Sequence, residues 1–134
     1  VFLDIEGPAS NPHVAAVKWK DNYMLAIDPK PNKIYQFGKW RNIATIAELK
    51  EKVKMMWNTS LYQFFAWGSD SEKEFFGIPV YDLQKIAILI DKPDKYGVPH
   101  DGISEVCWLE LVVQADIKTG GVSWKASEST WMSK

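Results

Sequence analysis

The sequence predicts an α/β fold, a mixed sheet that opens as an antiparallel meander and is flanked by helices. Three observations predict it. Short apolar runs with strand-like alternation fill the first quarter of the chain. Helical periodicity takes over from Thr45 onward, and the one nearly continuous apolar run there, Leu61–Trp67, lies between helical stretches. Strands first, then helices alternating with strands, is the order of a mixed sheet with helices packed on it.

Each element has its own warrant. Val1–Gly7 is the first apolar run and reads as a strand. Val14–Trp19 and Tyr23–Asp28 are partly alternating runs joined by Lys20-Asp21-Asn22, a turn-like spacer, and they form a hairpin. Asp28-Pro29-Lys30-Pro31-Asn32 stops the second run, and Lys33–Phe37 is expected to add a further strand to the meander. Thr45-Ile46-Ala47-Glu48 has the form of a capping box, followed by Leu49, Val53 and Met56 at helical spacing, so a helix runs to about Trp57. Leu61–Trp67 has the apolar density of a central strand. Gly68-Ser69-Asp70 breaks it, and Ser71–Phe76 reads as a short helix. Pro79–Leu83 is a short strand, Gln84–Ile90 a helix and Asp91–Pro99 a polar loop with two prolines. Ile103, Val106, Leu109, Val112 and Val113 mark a last amphipathic helix over Asp101–Asp116.

Length and composition narrow the class. At 134 residues the chain is read as one domain, 1–134, with a weakly patterned tail from about 119 in which Trp124 and Trp131 are candidate anchors. Val rather than Met at the first position implies a processed or trimmed form. No apolar stretch approaches the ~20 residues needed to span a bilayer, so no membrane partner is expected. A single cysteine, Cys107, excludes an internal disulfide and a cysteine-based zinc site, and fits a reducing, cytoplasmic compartment. Net charge is −1, which argues against a protein that coats nucleic acid through a global basic field, and less against an enzyme that grips a chain end through metals.

The chemistry is concentrated in the acids. Asp4 and Glu6 are two apart on the first strand, so both carboxylates share one face, roughly 7 Å apart along the strand. Two like charges inside a sheet raise each other's pKa or require a cation between them. An edge strand with a wet polar face is the alternative for Asp-x-Glu taken alone. Asp70 follows a central strand, where sites of open α/β sheets lie, although a helix N-cap would use the same residue. His100 stands five residues ahead of Glu105, with Asp101 between them. Taken singly, His100 reads as a loop or capping residue and Glu105 as a solvated helix position. His13, in a loop after Pro12, is given no role.

In order and character, Phe2-Leu3-Asp4-Ile5-Glu6-Gly7, Phe65-Ala66-Trp67-Gly68-Ser69-Asp70 and Pro99-His100-Asp101-Gly102-Ile103-Ser104-Glu105-Val106 resemble the motifs of the DEDDh family of 3′–5′ exonucleases. Trp67-Gly68-Ser69-Asp70 and Tyr81-Asp82-Leu83-Gln84 are similar to segments of its small exoribonuclease members, and the likeness extends to about residue 116. The resemblance implies an RNase H-like fold and two divalent ions, Mg²⁺ or Mn²⁺, held by Asp4, Glu6, Asp70 and Glu105. It further implies His100 as general base, and hydrolysis of single-stranded RNA or DNA ends to nucleoside monophosphates. Two features depart from the family pattern: Glu105 stands where the family carries Asp, leaving Asp101 as a substitute, and only 30 positions separate Asp70 from His100. They motivate the alternative of a catalytically degenerate nuclease-fold binding or scaffold protein. Another RNase H-like nuclease or an integrase-type phosphotransferase would share the acids. Of the aromatics, Trp19, Trp40, Trp57 and Trp108 are read as packing, Trp67 as a candidate beside the proposed metal ligand Asp70, and Phe75 and Phe76 as core packing, with lining of the groove for terminal nucleotides as the alternative.

Overall fold

The computed structural model describes residues 1–31, 33–36, 39–84 and 101–118. Its strands are β1 (Phe2–Glu6), β2 (Val14–Trp19), β3 (Asn22–Ile27), β4 (Lys33–Gln36), β5 (Lys39–Asn42), β6 (Phe65–Ala66) and β7 (Tyr81–Asp82). Its helices are α1 (Ile46–Asn58), α2 (Asp70–Phe76) and α3 (Ile103–Lys118). Five strands form one mixed sheet in the order β3-β2-β1-β6-β7. β1, β2 and β3 pair antiparallel, as the meander predicts, and β6 and β7 extend the sheet in parallel from β1. β1 is therefore central, which rules out the edge-strand alternative for Asp4 and Glu6.

Strand alternation divides the residues between two layers. Leu3, Ile5, Ala15, Val17 and Ala26 point to one face, where they pack with Leu49, Val53 and Met56 of α1 and Phe76 of α2. Ala16 and Leu25 point to the other, against Ile103 and Val106 of α3 with Ile43 beside them. Phe65, Leu83 and Leu109 continue that second layer toward β7. The capping box forms as read: Glu48 N donates to Thr45 Oγ1, and Thr45 N donates to Glu48 Oε1.

Three expectations need correction. β4 does not join the meander; it pairs with β5 in a separate two-stranded hairpin, and β5 was not anticipated from sequence. The run Leu61–Trp67 contributes only Phe65 and Ala66 as strand, and Leu61 is 80% exposed, because the chain between α1 and β6 crosses the surface before entering the sheet. α3 begins at Ile103 rather than Asp101 and reaches Lys118. The helix expected at Gln84–Ile90 falls largely, and the tail from 119 wholly, outside the described residues. No helix among the described residues is long and apolar enough to cross a membrane.

Candidate metal centre

Three carboxylates converge on the α3 face of the sheet. Asp4, Glu6 and Glu105 each place a ligand oxygen so that all three atoms lie within 4.8 Å of one another. Asp4 and Glu6 come from one face of β1, as their spacing requires. Glu105 comes from the first turn of α3 and is 0% exposed, so it is not the solvated helix residue its charge alone suggests.

Small residues bring the helix this close. Asp4 pairs with Ala16 on β2. Gly102, immediately before α3, has φ +82, and a Cβ there would lie 3.1 Å from Ala16 Cβ and 3.2 Å from both Leu25 and Val14. The absent side chain at Gly102 and the single methyl at Ala16 let the start of α3 descend onto the sheet beside Asp4. Asp101 settles the helix start: its Oδ1 accepts from Ser104 N at 2.6 Å and its Oδ2 accepts from Ser104 Oγ at 2.7 Å. Both Asp101 oxygens are thereby engaged in capping, so Glu105, not Asp101, is the acid that joins Asp4 and Glu6. At the other end of the contact, Lys18 of β2 is buried and pairs with Glu110 of α3, while also donating to Lys20 O at 2.6 Å.

The electrostatics follow from this packing. Asp4 is 7% exposed, and its Oδ2 is buried without a hydrogen bond. Burial, followed by the hydrogen-bonding contact and charge of Glu105 and then those of Glu6, pushes the Asp4 pKa up from 3.8 to about 11. At neutral pH and without a cation, Asp4 therefore holds a proton. The donor set is all carboxylate oxygen, which suits a hard divalent ion such as Mg²⁺ or Mn²⁺, and the buried Asp4 Oδ2, which makes no hydrogen bond, is a candidate ligand atom.

The other predicted site residues fare differently. Asp70 is exposed, begins α2 just past the carboxyl end of β6, and does not belong to the converging group. It is not the N-cap either, which is Ser69; its charge instead suits the first helical turn. The loop ahead of Asp70 is held by Asp82, whose Oδ1 accepts from Gly68 N and Gln84 N, each at 2.9 Å. His100 lies outside the described residues. Trp67 packs edge-on against Trp108 with centroids 4.8 Å apart, tying that loop to α3. Phe76 is buried in the opposite layer and Phe75 lies against it, so neither lines a groove at the acids.

Sequence reasoning passed over Gly102, Ala16 and the Lys18–Glu110 pair. A signal for the burial of Glu105 was present: Glu105, Leu109 and Val112 recur at helical spacing on one apolar face. No model of a known protein family matches the chain, and no curated protein or solved structure matches it. What the chain does is therefore read from the chemistry of this centre.

Proposed function

We propose that this protein is a metal-dependent 3′–5′ exonuclease with an RNase H-like fold, acting on single-stranded RNA or DNA. One observation carries the reading: Asp4, Glu6 and Glu105, far apart in sequence, meet within 4.8 Å around a buried carboxylate oxygen that makes no hydrogen bond. An antiparallel meander continued by two parallel strands, with the acids on its central strand, supports the fold assignment. A divalent cation bound there supplies Lewis acidity and an activated water for attack on a phosphodiester. The chain's own residues do the rest. Glu6 and Glu105 offer oxygens from two rigid elements, and Asp4 releases its proton to complete the ligand set. His100, directly before the Asp101 cap, is the proposed base for the attacking water.

A second reading, a nuclease-fold binding or scaffold protein that has lost catalysis, is favoured by one specific observation: Asp70 stays exposed and outside the acidic group. The two are separated with an end-labelled single-stranded oligonucleotide and Mn²⁺. The exonuclease releases labelled mononucleotides from the 3′ end, is stopped by a blocked 3′ end, and is inactive as Asp4→Ala. Equal degradation by wild type and Asp4→Ala refutes the nuclease assignment. Mn²⁺ binding without any cleavage favours the scaffold.

A further inference from the structure

The β4–β5 hairpin is separate from the main sheet, and the acidic centre does not account for it. Its charge is one-sided. Between Asp28 and Glu48 the chain has no acid and carries Lys30, Lys33, Lys39 and Arg41, although the net charge of the whole is −1. Its register pairs two aromatic residues, Tyr35 opposite Trp40, and places Lys33 opposite Asn42. Tyr35 is 63% exposed and Lys33 is exposed as well. An accessible aromatic ring beside an exposed cation is a surface on which single-stranded nucleic acid binds: phosphates meet the cation and base faces stack on the ring.

The topology roots this hairpin at the same end of the sheet as the acids. Glu6 pairs with Val14, and Val14 pairs with Ile27, the last residue of β3. The chain therefore leaves β3 at the same end of the sheet as Glu6, with Ile27 two strands across from it, or about 10 Å at ~4.8 Å per strand. It returns on the same face: Ile43, next after β5, is buried with Ala16, Leu25 and Ile103, two residues from Glu105. Its root is thus packed into the layer that holds the acidic centre.

We infer that the β4–β5 hairpin is the surface that grips the single strand whose end lies at Asp4, Glu6 and Glu105, with Tyr35 as stacking residue and Lys33 as phosphate contact. This rests on the nuclease reading above, and its test is kept separate from that one. Fluorescein-labelled rU12 and dT12 are titrated by anisotropy in EDTA, where metal-dependent cutting is off, across a salt series. Tyr35→Ala is expected to weaken binding roughly fivefold or more. Lys33→Gln should lower the slope of log K against log salt concentration by about 0.7. Mn²⁺-dependent thermal stabilisation should be unchanged in both. Should Tyr35→Ala fail to fold, Lys33→Gln, at an exposed position, carries the test. Wild-type affinity and salt slope in the variants, or no binding by the wild type, overturns the inference. Hairpin-dependent binding without cleavage sustains it while the nuclease assignment fails; Asp4-dependent cleavage with unaltered binding in the hairpin variants does the reverse.

Discussion

Replacing Asp4 with Asn should make the metal-free protein more stable, and increasingly so as pH rises. The folded state holds the Asp4 proton up to about pH 11, whereas the unfolded chain releases it near 3.8. Between those values the folded state binds one more proton than the unfolded state. Stability attributable to Asp4 is thus greatest below pH 3.8 and is lost as pH rises, by about 1.4 kcal/mol per unit. From pH 5 to pH 8 that amounts to about 4 kcal/mol, a large part of the 5–15 kcal/mol that typically holds a domain together. The slope is one proton's worth wherever the folded pKa stays above 8, so it does not depend on how far above. Asn keeps the shape of the protonated acid and has no proton to lose. Urea denaturation in EDTA, at half-unit steps from pH 5 to 8, should show the Asp4→Asn minus wild-type difference growing with that slope. Adding Mn²⁺ should then stabilise the wild type, more strongly at higher pH because binding displaces the proton, and should leave Asp4→Asn nearly unchanged. A difference between the two proteins that is constant across pH would refute the placement of Asp4 in a buried, like-charged centre.

Two further perturbations test how α3 is seated. Gly102→Ala adds a Cβ at φ +82 with neighbours at 3.1–3.2 Å, and should cost about 1–3 kcal/mol in denaturant melts. It should also weaken Mn²⁺ stabilisation by displacing Glu105; an unchanged metal response would show that the close approach does not set the site. In the Lys18–Glu110 pair the side chains are 5% and 31% exposed. Glu110→Gln strands a buried ammonium, whereas Lys18→Met leaves a carboxylate that rehydrates. The first should cost about 1–3 kcal/mol more than the second by chemical denaturation, and equal losses would contradict the burial of Lys18.

The sequence was most legible where one local rule dominated. Thr45 and Glu48 announced their helix, the alternation in Val14–Trp19 and Tyr23–Asp28 announced a hairpin, and the two-residue spacing of Asp4 and Glu6 placed both acids on one face. Where tertiary contacts decided the outcome, it was less so. Leu61 is as apolar as Phe65, yet one is exposed and the other in the sheet, because only Phe65 has Phe2 as a strand partner. Asp70 lies next to a central strand in sequence, but helix α2 starts on it and presents it to solvent. In sequence, Asp101 is only a nearby substitute for Glu105, whereas the structure separates them: one carboxylate holds the helix start and the other enters the centre. Gly102 carried no visible signal, since its role exists only against Val14, Ala16 and Leu25, more than seventy residues away.

Strand β1 serves as a partition between two kinds of selection. Leu3 and Ile5 support the apolar layer beneath α1 and α2, while Phe2, Asp4 and Glu6 face α3. Tolerance to substitution along Phe2–Glu6 should therefore alternate with a period of two when scored for folding, and with the opposite phase at Asp4 and Glu6 when scored for metal response. Drift at the odd positions changes only how much destabilisation the chain can absorb, whereas drift at Asp4 changes both the metal response and the pH dependence of stability. Adjacent side chains on the strand never see the same layer, so the apolar layer can vary without touching the acids, but the acids cannot vary without touching stability.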